Sequence, residues 1–314
     1  MPDATRTGYA FHPFIQSLVD AFLGANPFAE TDTLAIRAAN DPAARELFGP
    51  PPAVALAEER SVEHDGLAVP VRVYEPDAAP LPGTLVYFHG GGFVVGSAEV
   101  WDCVCRNIAL GAGCRVVSAD YRLAPEHPFP AAVHDAFAAT AWAARAFPGP
   151  LAVGGDSAGG TLAIATCLLA RQRGGPRIGL QALAYPACDL SSFDTKSYAR
   201  FGHDLFLTTK AMTFFRDCWL PRPEDRINPL ASPLLAEDLT GLPPCLLLAA
   251  EYDALLDEGE AYAARLRAAG IPCARTVYPG MIHGFFAMHP LGPRDNGLDE
   301  YCAALRAAFA DKSG

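Results

Sequence analysis

Apolar residues at Phe11, Phe14, Ile15, Leu18, Val19 and Phe22 recur at three- and four-residue steps, which predicts one apolar helix face near the start of the chain. After Pro50-Pro51-Pro52 the texture changes. Residues 69–74 alternate as in a half-covered strand, and residues 84–89 form a short unbroken apolar run of the kind buried on both faces. Further strand-like runs lie at 115–120, 151–153, 180–185, 245–250 and 275–278. Ala-rich helical patterns at 131–147, 161–173 and 259–269 separate several of them, and a last helix is expected from about 298 to 310. Strand and helix in alternation imply a mostly parallel central sheet with helices on both faces. Between 189 and 233 the alternation breaks into a stretch rich in large apolar residues, among them Phe201, Phe206, Met212, Phe215 and Trp219, which reads as a helical insertion.

Composition narrows the function. The chain has 314 residues, 51% of them hydrophobic, enough for a large core. Its formal charge of −11 argues against nucleic acid and against an anionic membrane surface, and is first of all a solubility feature. The polar start at residues 1–8 does not read as a secretory leader. No run of about 18 apolar residues predicts a stable membrane insertion. The nine cysteines are scattered, with no CxxC pair and no zinc spacing, so they read as buried small hydrophobes of a cytoplasmic protein.

Chemistry concentrates at Gly155-Asp156-Ser157-Ala158-Gly159, which follows a strand-like run and precedes a helical one. That context turns a G-x-S-x-G string into a nucleophile elbow, with Ser157 lifted clear of the sheet. A serine hydroxyl needs a base to take its proton, a carboxylate to orient the base, and donors for the oxyanion. His89-Gly90-Gly91-Gly92-Phe93, at the end of the 84–89 run, is the donor candidate, because successive glycines let backbone N–H groups approach a ligand. No Gly-Lys-Ser/Thr follows it and no GxGxxG is present, which counts against a phosphate loop. For the acid, Asp253 lies just past the 245–250 run, with Glu251 and Asp257 as rivals. For the base, His283 follows the final strand-like run, with His289 as runner-up and His89 read as structural. Ser157, Asp253, His283 is the chain order of an α/β-hydrolase triad.

These motifs, with Asp120-Tyr121-Arg122-Leu123-Ala124-Pro125-Glu126-His127-Pro128 between them, resemble the bacterial hormone-sensitive-lipase-like esterases of the α/β-hydrolase fold. The resemblance runs from about residue 60 to the end. Asp253-Ala254-Leu255 stands where that family usually has Asp-Pro-Leu, which could loosen the loop that holds the acid. The resemblance implies Ser157 as nucleophile, His283 as general acid/base, Asp253 as its orienter, and oxyanion donors at Gly91, Gly92 and Ala158. It also implies that the 120–131 segment braces the glycine run and that Asp156 is a spacer or a brace.

The expected protein is therefore a single α/β-hydrolase domain over 1–314, with cap elements at about 1–45 and 190–232. A cap would keep water from a reactive serine, whereas an ordinary peripheral subdomain would not need to face the site. The expected activity is hydrolysis of a small-molecule carboxylic ester, of short to medium acyl chain by family likeness, with no metal or cofactor. A homodimer is suggested by analogy alone. Two rivals stand beside this reading. An amidase, lactamase or carbamate hydrolase would use the same triad, and a small-molecule receptor on an inactive hydrolase scaffold would be expected to lack a triad member.

Overall fold

A computed structural model describes residues 8–22, 33–64, 66–76, 82–203 and 205–310. Residues 1–7 and 23–32 of the first expected cap segment, and Asp204 of the second, lie outside the described residues, as does most of the polar start. The chain runs through α1 (Pro13–Phe22), α2 (Thr33–Phe48), β1 (Leu56–His64), β2 (Leu67–Glu75), β3 (Thr84–Phe88), α3 (Asp102–Ala112), β4 (Arg115–Ala119), α4 (Ala131–Ala146), β5 (Leu151–Asp156) and α5 (Ala158–Arg173). It continues through β6 (Leu180–Ala184), α6 (Lys196–Phe201), α7 (Thr209–Trp219), β7 (Cys245–Tyr252), α8 (Leu256–Ala268), β8 (Cys273–Ile282), α9 (Gly292–Asp295) and α10 (Leu298–Ala310).

The strands form one sheet in the order β1-β2-β4-β3-β5-β6-β7-β8. β1 and β2 pair antiparallel, β2 meets β4 antiparallel, and every pairing from β4 to β8 is parallel. The central strands read as unbroken apolar runs because both their faces are covered. In β3, Val86 and Phe88 join the core beneath α4, α5 and α8, while Leu85 and Tyr87 join the opposite core beneath α3 and α10. The period of two is present in space although it is invisible in the sequence.

The structure departs from the sequence reading in several places. β1 and α3 were not expected as elements. The expected strand at 151–153 continues through Asp156, and the expected helix at 161–173 begins at Ala158, directly after the elbow. The strand expected at 275–278 runs from Cys273 to Ile282. The 189–233 stretch holds α6, α7 and two short 3-10 turns, Pro223–Ile227 and Pro233–Leu235. Both helices start at threonines that cap them, Thr195 accepting from the Tyr198 N–H and Thr208 from the Ala211 N–H. No helix among the described residues is long and apolar enough to cross a membrane.

Candidate active site

β5 delivers Ser157 and α5 begins at the next residue. Ser157 has φ 53° and ψ −119°, a region that costs a residue bearing a side chain of order 1–3 kcal/mol. The elbow holds because its flanks pack with nothing to spare. A Cβ on Gly155 or on Gly159 would run into the Phe88 carbonyl at the end of β3. The close approach sets the elbow beside the glycine run that follows β3. The Ser157 N–H donates to the Ala184 carbonyl at 2.9 Å, which ties the elbow to β6 as well. The Ala158 N–H, at the first position of α5, has no acceptor within its own helix.

The acid and base come from the far side of the sheet. β7 ends at Tyr252 and presents Asp253, and β8 ends at Ile282 and presents His283. His283 Nδ1 lies 2.8 Å from Asp253 Oδ2, and His283 Nε2 lies 2.9 Å from Ser157 Oγ. An ionised carboxylate can only accept, so Nδ1 carries the proton and Nε2 is left to accept from the serine hydroxyl. Both side chains are buried, and the second carboxylate oxygen of Asp253 accepts from the Leu255 N–H at 3.0 Å. The Tyr185 ring, whose backbone φ is 37°, lies against the imidazole with centroids 4.6 Å apart. The serine, the imidazole and the carboxylate thus stand in one chain of hydrogen-bond distances.

The other carboxylates and histidines do different work. Glu251 accepts from the Gly280 N–H at 2.8 Å, and Asp257 accepts from the Ser197 N–H at 2.9 Å. His289 is exposed and packs on Gly49. His89 is fully buried, stacked on Tyr121 at 4.3 Å, with Nδ1 2.7 Å from the Gly90 carbonyl oxygen. Burial holds its pKa below the usual histidine value, against the pull of Asp120, so the ring is neutral.

The glycine run is held from three directions. Asp156 Oδ1 accepts from the Gly90 N–H at 3.0 Å and from the Tyr87 hydroxyl at 2.7 Å. That carboxyl is fully buried, and burial raises its pKa to about 6 although Tyr87, His283 and the Gly90 N–H all favour the charged form. The 120–131 segment grips the run from the side, through Tyr121 hydroxyl to the His89 carbonyl at 2.7 Å and the Ala124 N–H to the Phe93 carbonyl at 2.9 Å. Arg37 of α2 spans both stretches, donating to the carbonyls of Val94 and Ala124 at 2.7 and 2.9 Å. Gly91 sits at φ +109°, where a Cβ would meet the Val95 carbonyl. Among the described residues, no acceptor takes the amides of Gly91, Gly92 or Ala158.

α7 lies against the same run. The Trp219 ring stacks on Phe93 with centroids 3.5 Å apart, and a Cβ on Gly92 would strike the Phe215 ring. Phe206, between α6 and α7, lies beside Gly284 next to the imidazole. The sequence marks these aromatics as an insertion but carried no signal for what they touch. It gave Tyr185 no role at all, and only that residue's place at the end of a strand could have drawn notice.

An elbow after the third parallel strand of the run, with acid and base after the last two strands, is the arrangement of an α/β hydrolase. A family model described as the alpha/beta hydrolase fold matches residues 85–287, and the chain belongs to that family. Among its relatives, carboxylic ester hydrolase LipN of Mycobacterium tuberculosis is 43% identical over 76% of this chain and 67% of its own length. Carboxylesterase NlhH of the same organism is 36% identical over 87% and 88%. Among solved structures, a Pyrobaculum calidifontis esterase superposes with a TM-score of 0.88 at 36% identity, covering 95% of this chain and 99% of that one.

Proposed function

We propose that the chain hydrolyses small-molecule carboxylic esters of short to medium acyl length through an acyl-enzyme on Ser157. The chain is a carboxylic ester hydrolase by kinship with LipN and NlhH. The observation that carries the mechanism is the single imidazole within hydrogen-bond reach of both Ser157 and Asp253. Ser157 Oγ attacks the ester carbonyl as its proton passes to His283 Nε2. The imidazolium is stabilised by Asp253 and returns the proton to the leaving alkoxide oxygen. Water then attacks the acyl carbonyl, again losing a proton to His283, and Ser157 is released. The amides of Gly91, Gly92 and Ala158 hold the oxyanion of each tetrahedral intermediate, a role supported by their having no acceptor among the described residues.

The segments at about 1–45 and 190–232 act as the cap. Phe215 against Gly92 and Phe206 beside Gly284 support this, because they set apolar surface on the glycine run and on the residue that follows His283. Nine free thiols support residence in a reducing compartment. A homodimer belongs to the same reading by analogy, and light scattering decides it.

The test is a rate profile over p-nitrophenyl esters of increasing acyl length, beside matched p-nitroanilides. The expected result is a maximum at short to medium esters and slow anilide turnover. Anilides cleaved as fast as the esters would make the enzyme an amidase.

A further inference from the structure

Cys245 opens β7 and Cys273 opens β8, and the parallel register sets them directly opposite each other. Both belong to the same core layer, so their side chains share one face of the sheet. The Cys245 N–H donates to the Pro272 carbonyl at 2.9 Å, which fixes that register at the strand starts. Neighbouring strands lie about 4.7–4.9 Å apart. That separation falls within the ~4.4–6.8 Å Cα spacing a disulfide spans, and is slightly wide for the ~3.5–4.5 Å its Cβ atoms need. β8 is the edge of the sheet, with no strand beyond it among the described residues to resist a small inward shift.

The two thiols differ in the way a redox pair requires. Cys245 is buried, and burial pushes its pKa well above the usual thiol value. Cys273 is half-buried and lies near two arginines, Arg267, whose Nε donates to its carbonyl at 3.3 Å, and Arg275 two residues along, both also paired with Glu260. The neighbouring Cys245 thiol holds the Cys273 pKa below the usual range, with help from Arg267 and Arg275 and against partial burial and Glu260. Reactive cysteines occupy such electropositive, partly exposed places, whereas buried structural ones are inert.

We propose that Cys245 and Cys273 are a redox-sensitive pair that closes a reversible cross-strand disulfide when hydrogen peroxide reaches Cys273. The Cys273 thiolate attacks the peroxide, forming an S–O bond to sulfenic acid as the O–O bond breaks, and the released hydroxide takes a proton to become water. Cys245 sulfur then attacks Cys273 sulfur, the S–S bond forms, and the S–O bond breaks, with the Cys245 proton leaving in a second water. Two thiols lose two electrons and the peroxide gains them. The link ties together the strands that carry Asp253 and His283, but at their opposite ends. About eight residues of strand, roughly 25 Å, separate Cys245 from Asp253, so turnover changes little.

The experiment treats the full chain with hydrogen peroxide, blocks remaining thiols, and maps the peptides by mass spectrometry. The expected product is a Cys245–Cys273 linked peptide pair about 2 Da below the summed reduced masses, which separates on adding dithiothreitol. Cys273→Ser should abolish the link while ester hydrolysis stays within about twofold of the parent, since the residue lies far from the site. Two results would overturn the proposal: Cys273 oxidised to sulfinic acid or capped while Cys245 stays a thiol, or both thiols unchanged under doses that oxidise Cys218.

Discussion

The proposed site has two unlike halves. The donor half, formed by the ends of β3 and β5, offers backbone groups, and these are aimed by a fully buried set of side chains: Asp156, Tyr87, His89 and Tyr121. The acid–base half, at the ends of β7 and β8, offers side chains, and these are positioned largely by one another and by the Leu255 amide. The difference teaches where substitutions bite. The acid–base half is vulnerable at the acting residues themselves. The donor half is vulnerable at the glycines that permit its backbone and at the carboxylate that anchors it.

Variants separate the halves by size of effect. Ser157→Ala removes the nucleophile, and kcat on p-nitrophenyl butyrate should fall on the order of 10⁶-fold, leaving what the oxyanion donors and binding supply. Asp253→Asn leaves the shape intact but lets the imidazole take the wrong tautomer, so kcat should fall on the order of 10⁴-fold. Loss of activity in this variant smaller than tenfold would mean that the imidazole is oriented by something else. Gly91→Ala puts a Cβ at φ +109° against the Val95 carbonyl. The displaced backbone should lower kcat by about 10²–10³-fold, the range of one lost oxyanion donor, with KM moving much less.

Asp156 gives a gentler and differently shaped signal. Its pKa is about 6 in the fold against an ordinary 3.8, so the folded state holds the proton more tightly than the unfolded one. The stability it contributes is fully present below about pH 4 and is lost as pH rises through 6. Asp156→Asn can still accept from Gly90 and Tyr87 and has no charge to bury. Urea unfolding from pH 4 to 7.5 should therefore show the parent losing on the order of 3 kcal/mol relative to the variant. Glu258, buried and raised in the same sense, acts in both proteins and cancels from the difference. Parallel stability curves would mean that Asp156 is not the buried acid described here.

What was legible in the sequence follows the same division. Ser157, the glycine run, Asp253 and His283 stood out as candidates because each lies at the end of a strand that reads as one, and the structure places them at those strand ends. β1 did not. Its sequence, Leu-Ala-Glu-Glu-Arg-Ser-Val-Glu-His, is an edge strand in which only Val62 is fully covered, so charges swamp the alternation. α3 was hidden because its buried side includes Cys103 and Cys105, which blur the apolar stripe among Asp102, Arg106 and Asn107. The start of α5 was read three residues late because Ala158-Gly159-Gly160 looks like a turn, whereas the helix must begin at once after the elbow. The role of Asp156 lay open between spacer and brace. Deciding it takes Tyr87 and Gly90, distant in sequence and brought together only by the pairing of β3 with β5.

The central claim is that His283, oriented by Asp253, makes Ser157 a nucleophile. A fluorophosphonate probe reads this directly, because it bonds to an activated serine and its adduct can be mapped by mass spectrometry. The account predicts one adduct, on Ser157, in the parent, and labelling slowed at least on the order of 10³-fold in His283→Ala. An adduct on a different residue, or equal labelling rates in the parent and His283→Ala, would contradict it.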